Sequence, residues 1–208
     1  MLCGSCEDLF SRHESKFARL VFHPLAAKAS LNAKYGGWLR KFAVSVCWRI
    51  LEEGISSNEL EHFAGRWTSS LASCRDTWKR YLTGKRPDIV GHHVHLLTWS
   101  DIRGRATPLG PPRASHDAFT GHVLPSEIQT RHDSWADVEG RSSIQNAIFC
   151  SDREAFIYAK LGPIILLGLI ADPDPAQWHG TRINAEGKLK PREMIVPAAY
   201  REYLRSRM

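Results

Sequence analysis

The chain has 208 residues, of which 43% are hydrophobic, and its seven Trp and eight Phe supply enough apolar bulk for a globular core, which excludes a disordered chain. The net charge of +6 is concentrated in the first half, where residues 1–100 carry 14 Lys and Arg against 9 Asp and Glu. Five cysteines without a signal-peptide pattern, and a longest apolar stretch of only residues 161–171, exclude a secreted disulfide framework and a membrane span and predict a cytoplasmic protein.

Three helices are predicted in the first ninety residues from apolar side chains at helical spacing. The first covers residues 7–22 and is expected to end at His23, because Pro24 disfavours a helical conformation in the residue before it. The second covers residues 35–50 and is expected to stop at Gly54. The third is expected to begin at a Ser56-Ser57 cap and to end at Gly84.

Beyond Pro87 the pattern changes from helical to strand-like. A loop is predicted for residues 101–117, a small hairpin for 182–190 and a closing helix for 198–207. Because residues 164–169 are continuously apolar, their strand is expected to be covered on both faces. Strands are predicted over residues 94–99, 118–124, 143–150, 155–160 and 164–171.

These elements predict an α+β fold in which an N-terminal three-helix layer packs on a mainly antiparallel C-terminal β-sheet. Residues 1–90 form the helical region, which opens with a Cys-x-x-Cys pair. Residues 91–208 form the β-rich region with its closing helix. The two regions are expected to make one compact domain or two tightly joined parts.

Cys3 and Cys6 are a compact pair of metal ligands at the start of the first helix. Two thiols three residues apart supply half of a tetrahedral zinc site, so two further ligands are needed. The alternatives are a redox pair, which normally follows a strand, and two unliganded thiols near a chain terminus. Cys47, Cys74 and Cys150 lie on apolar patterns and are expected to be buried.

His93 and His95 form a second pair, in the sequence His92-His93-Val94-His95. Residues two apart on a strand share a face, so the two imidazoles are positioned to hold one metal ion, while His92 is expected to point the other way. The alternative is a strand start whose histidines are merely polar. Together with Cys3 and Cys6 they would complete a Cys2His2 zinc site.

The third helix carries a basic tail that is a candidate phosphate-binding ridge. A solvated helix face explains the same residues equally well. Its members are Arg75, Lys79, Arg80, Lys85 and Arg86.

The opening segment, residues 2–7, resembles HNH-type endonucleases, in which Leu-Cys-x-x-Cys opens the helix of a ββα-metal fold. It also looks similar to a group of bacterial HNH-like zinc proteins of unassigned activity, as do residues 35–43, 81–87 and 158–163. In the nuclease pattern the general-base histidine and one ligand pair lie on a hairpin before this helix, and this sequence has no room for that hairpin before Met1. Glu7 also stands where HNH proteins commonly have His or Asn. A late start of the reading frame or a descendant that lost the chemistry would explain both departures.

The resemblance implies a zinc-binding protein that contacts nucleic acid and, if it is active, carries out metal-assisted phosphodiester hydrolysis. The competing function is a non-catalytic interaction module that docks an acidic protein through its basic helix without a metal. A structural protein without a metal is the third possibility.

Overall fold

A computed structural model gives the architecture of the chain. The residues that it describes are 4–27, 30–57, 60, 65–98, 122–125, 144–150, 154–171, 178 and 180–190. The predicted loop over residues 101–117 and the predicted closing helix over 198–207 lie outside these described residues, as do Cys3 and most of the predicted strand over 118–124.

The first helical segment does not end at His23, the position predicted from Pro24. Helix α1 spans Gly4–Phe17, continues as a π-helical segment over Ala18–Phe22, and passes directly into a short helix α2 over His23–Ala26. Pro24 lies in the first turn of α2, where a missing N–H is tolerated. The wider π turn before it makes room for the ring, so the expected stop at His23 is wrong.

Helix α3 spans Gly37–Ser56 and runs through Gly54, which was expected to stop it. Gly54 is buried against the sheet, where a Cβ would lie 2.5 Å from Ile148 Cδ1, so close packing explains why glycine stands here. Helix α4 spans Thr68–Leu82, which places its start well beyond the Ser56-Ser57 cap that the sequence predicted. Its expected end is confirmed, since Gly84 has a φ of +74° and the Lys85 N–H donates to the Arg80 carbonyl at 2.8 Å.

Within the described residues, five antiparallel strands form one sheet in the order β1-β5-β4-β3-β2. The bounds of β5 agree with the prediction, and β3 and β4 differ from it by one residue at an end. The strands are β1 (His93–Thr98), β2 (His122–Pro125), β3 (Ile144–Cys150), β4 (Ala155–Leu161) and β5 (Ile164–Ala171). The predicted α+β class is confirmed.

Alternate residues of the strands face two separate apolar clusters, as the pleat requires. Helices α1, α3 and α4 cover one face of the sheet, which we call the helix face, where their side chains pack with Val94, Ile157 and Leu166. The opposite face, which we call the outer face, buries Phe156, Leu167 and their neighbours against Trp178. The expectation that β5 is covered on both faces is therefore confirmed.

The edge of β1 that faces away from β5 pairs with the segment that follows Trp178. The Leu96 N–H donates to the Thr181 carbonyl and the Ile183 N–H donates to the Val94 carbonyl, both at 3.0 Å. Residues 184–188 then turn back as predicted, because the Gly187 N–H donates to the Asn184 carbonyl at 3.0 Å. This segment brings residues near position 182 to the strand that carries the histidines.

Lys160 is fully buried on β4 and shares the outer face of the strand with Phe156 and Tyr158. Burial lowers its pKa to about 8. The unfolded chain binds this proton more tightly than the folded chain, so the native state gains stability as the pH rises from about 8 to 10.5. Below pH 8 the charged amine opposes folding.

Lys160→Met should therefore stabilise the protein at pH 7 by on the order of 2 kcal/mol. The gain should shrink at pH 10, where the unfolded chain also loses much of its proton. Denaturant unfolding of both proteins at the two pH values measures this effect. Lys79→Met, at an exposed position, is the control and should change stability little. If Lys160→Met were less stable than the wild type at pH 7, the claim that the charged Lys160 amine opposes folding would be contradicted.

Candidate functional site at the start of the first strand

The predicted histidine pair lies at the start of β1. His93 and His95 are two residues apart on the strand and share its outer face with Leu97. His92 precedes the strand and packs against Trp78 of α4 on the helix face, with ring centroids 6.3 Å apart. Its Nδ1 lies 3.0 Å from the Ile170 carbonyl oxygen. The opposite orientation predicted for His92 agrees with these contacts.

His95 is held in place on one side of its ring and has an unused nitrogen on the other. Its Nδ1 lies 2.9 Å from Thr181 Oγ1, and its ring centroid lies 4.6 Å from that of Trp178. The side chain is 1% exposed, and its Nε2 has no hydrogen-bond partner among the described residues. A proton on Nδ1 would leave a buried lone pair on Nε2, which is how histidine ligands of metals are usually held.

Both histidines are neutral at physiological pH. Burial, with smaller contributions from His93 and Arg182, lowers the pKa of His95 to about 3. Burial and then the charge of Arg182 lower the pKa of His93 to about 4. Neutral imidazole is the form that binds a metal or accepts a proton.

The basic residues at the end of α4 lead directly into this region. Lys79, Arg80 and Lys85 are exposed, and none forms an ion pair with a carboxylate of the described residues. Arg86 is half-buried, and its charge adds to burial in lowering the pKa of His92, against the hydrogen bond to Ile170. Arg75 differs from the others because Asp76 pairs with it at 2.9 Å.

Three more charged residues surround His93. Arg40 of α3 is buried, lies over the ring of Tyr81 at 5.4 Å, and forms an ion pair with Asp88. Burial would raise the pKa of Asp88, but the Ile89 N–H and the Arg40 and Arg182 charges outweigh it and hold that pKa below its ordinary value. Two guanidinium groups and one carboxylate thus lie around the half-buried imidazole of His93.

The other half of the predicted zinc site is the cysteine pair. Cys3 is outside the described residues, and Cys6 lies in α1 one turn before Phe10. Phe10 packs against Trp48 of α3, whereas the site near His93 adjoins Arg40, which is about 12 Å away along the axis of α3. That Cys3 and Cys6 join His93 and His95 in one Cys2His2 site stays a prediction.

Within the described residues no three His, Cys, Asp or Glu side chains gather into a metal-binding group. Cys47, Cys74 and Cys150 are buried free thiols, as predicted. Burial raises the pKa of all three, which leaves these thiols protonated and unreactive at neutral pH. None of the described helices is long and apolar enough to span a bilayer.

The sequence pattern did not identify Arg40, Trp178, Thr181 or Arg182 as members of this region. Thr181 lies 86 positions from His95 along the chain, so no local spacing could relate the two residues. Arg40 follows a helical pattern that predicts only its secondary structure. A buried arginine can be recognised only after its contacts are known.

Comparison of the chain with protein family models, with curated proteins and with solved structures finds no match.

Proposed function

We propose that the chain is a cytoplasmic, HNH-like zinc-binding protein that contacts nucleic acid where α4 ends and β1 begins. One observation carries this proposal: Trp78, next to the exposed cations of α4, packs against His92, which immediately precedes the histidine pair of β1. The tail of α4 supplies Lys79, Arg80, Lys85 and Arg86, and β1 supplies His93 and His95.

The charges of this end suit a phosphate backbone. Lys79 and Arg80 lie in the last turn of α4, and Lys85 follows directly after the glycine that ends the helix. Without carboxylate partners among the described residues, these cations are free to replace the counterions of nucleic acid phosphates. Arg182 extends the positive charge to the edge of β1.

The donor atoms of the histidine pair suit zinc. His95 offers a buried Nε2 whose ring is fixed by Thr181, and His93 lies on the same face of the strand. These two nitrogens make half of a tetrahedral set, and nearby guanidinium groups favour an anion as an additional ligand. Zinc bound here would supply Lewis acidity for phosphodiester hydrolysis, if the protein is an enzyme.

Metal analysis of protein purified without a histidine tag tests the zinc component. About one zinc per chain is expected, and His93→Ala/His95→Ala should remove it. The matched variant Cys3→Ser/Cys6→Ser distinguishes one joint site from two half-sites, because it spares only zinc that the histidines hold on their own. Wild-type protein free of metal would contradict zinc binding, and zinc lost in both double variants would point to one joint site.

The second candidate function is a non-catalytic module that docks an acidic protein partner. The exposed Lys79 and Arg80, which pair with no carboxylate of the described residues, suit an acidic protein surface as well as a phosphate backbone. Such a partner would use the same cations of α4, but it would bind equally well after chelation of metal. Nucleic acid binding that depends on zinc would exclude this alternative.

A further inference from the structure

Thr181 is a fully buried polar residue that contacts His95 from a distant part of the chain. Its side chain is 0% exposed, and its Oγ1 lies 2.9 Å from His95 Nδ1. The two residues are 86 positions apart, and they meet because the segment after Trp178 pairs with β1. A hydroxyl in contact with one ring nitrogen of a histidine can decide which of the two nitrogens carries the proton.

Backbone hydrogen bonds fix the position of Thr181. The Leu96 N–H donates to the Thr181 carbonyl at 3.0 Å. Just before it, the Gly180 carbonyl accepts from the Lys190 N–H at 2.9 Å, and Gly180 has a φ of +72°, a conformation that favours glycine. Because threonine branches at Cβ, few χ1 values are open to it on a backbone held in this way. The hydroxyl is therefore held beside the imidazole of His95.

The ring of His95 is held as well. Trp178 lies against it, with ring centroids 4.6 Å apart and ring planes inclined by 47°. Trp178 is itself buried in the apolar cluster of the outer face. A half-turn of the imidazole would need space beside this indole, and it would place a carbon where Nδ1 now meets Thr181. The ring thus has one orientation, and only the position of its proton remains to be assigned.

Two positions of that proton are chemically possible. If the Thr181 hydroxyl donated to Nδ1, His95 would carry its proton on Nε2, as a buried N–H without an acceptor among the described residues. If Nδ1–H donates to the hydroxyl oxygen, Nε2 keeps a lone pair instead. Buried N–H groups without a partner are rarer in folded proteins than acceptors without one. The contacts of His95 therefore favour the proton on Nδ1.

We propose that Thr181 is a positioning residue for zinc binding by His95: its hydroxyl accepts the Nδ1 proton and keeps the Nε2 lone pair available before any metal binds. A ligand that is already oriented loses little freedom when it binds an ion, which raises affinity. Partners of this kind typically change metal affinity by about 10- to 100-fold. The inference rests on the proposed function for its metal, but the tautomer is observable in protein that contains no zinc.

Two other histidines supply internal references for that observation. His92 Nδ1 lies 3.0 Å from the Ile170 carbonyl oxygen, which can only accept, so neutral His92 carries its proton on Nδ1. His23 is exposed and reports the tautomers of a solvated imidazole.

Nuclear magnetic resonance of metal-free wild-type protein tests the tautomer. Long-range ¹H–¹⁵N correlations at about pH 8.5, where an ordinary imidazole is neutral, distinguish the protonated nitrogen of each ring from the other. The signals of His95 are assigned by their loss in His95→Gln. They should match the pattern of His92 and differ from that of His23. A proton on Nε2 of His95 would overturn the proposal.

Variants of Thr181 test its effect on zinc binding. Thr181→Val removes the hydroxyl at nearly constant volume and should weaken zinc binding by at least about tenfold, whereas Thr181→Ser keeps the hydroxyl and should stay within about threefold of the wild type. Competition with a chromophoric chelator measures the affinities. Thr77→Val removes a buried hydroxyl from α4 and should leave zinc affinity unchanged. Equal zinc affinity in Thr181→Val and the wild type would overturn the positioning role.

Failure of the proposed function would give a different result. Wild-type protein that binds no zinc would contradict the zinc site, yet the tautomer of His95 in that protein would still confirm or overturn the role of Thr181. Zinc that is retained in Thr181→Val but lost in His93→Ala/His95→Ala would leave the zinc site intact and overturn only the positioning residue.

Discussion

Lys79→Glu/Arg80→Glu should lower the affinity for nucleic acid by about 100-fold at low salt. The two side chains lie in the last turn of α4, exposed and without carboxylate partners among the described residues. If α4 contacts nucleic acid, their reversal removes two phosphate contacts and adds two repulsive charges. Fluorescence anisotropy with a labelled oligonucleotide measures the loss.

The matched control for this variant is Arg12→Glu/Lys16→Glu. These two side chains are also exposed and lie one turn apart on α1. The control changes the net charge by the same amount at a different place on the surface. An equal loss of affinity in both double variants would mean that only the overall charge matters, which would contradict an interface at the end of α4.

Gly168→Val should cost at least about 3 kcal/mol of unfolding free energy. Gly168 lies in β5 on the helix face, beneath both α3 and α4. A Cβ at this position would lie 2.7 Å from Trp78 Cη2 and 3.0 Å from Cys47 Sγ. Any larger side chain must push both helices away from the sheet. Urea denaturation followed by Trp fluorescence measures the change.

Two companion variants make this result specific. Ala171→Val places the same side chain at the less buried end of β5 and should change stability by no more than about 0.5 kcal/mol. Trp78→Leu combined with Gly168→Val should be more stable than the sum of the two single changes predicts, because the smaller side chain relieves the clash. Strict additivity would contradict direct contact between residues 78 and 168.

The sheet could be predicted closely where burial follows the simplest pattern. The run that forms β5 is apolar without interruption, and the strand has the predicted bounds. The helix boundaries were harder to predict, because contacts between residues distant in sequence determine where the helices begin and end. Helix α3 runs through Gly54, whose position is explained by its packing against Ile148. Pro24 is accommodated by a π turn, which the spacing of apolar residues does not reveal.

The candidate site also has features that the sequence predicts and features that only the folded chain reveals. The cations of α4 and the spacing of His93 and His95 are local features that the sequence displays. Arg40 of α3 pairs with Asp88 after α4, and Arg182 bridges His95 of β1, and only the folded chain makes these contacts. Their chemistry depends on burial and on shared charges, which a single sequence does not contain.

The salt dependence of nucleic acid binding tests the central proposal most directly. The dissociation constant of wild-type protein for a labelled oligonucleotide is measured between 50 and 300 mM KCl, beside that of Lys79→Glu/Arg80→Glu. If the tail of α4 contacts phosphates, log Kd should rise with log salt concentration with a slope of about 3, and the variant should show a slope smaller by about 2. A flat dependence, or one slope shared by both proteins, would contradict it.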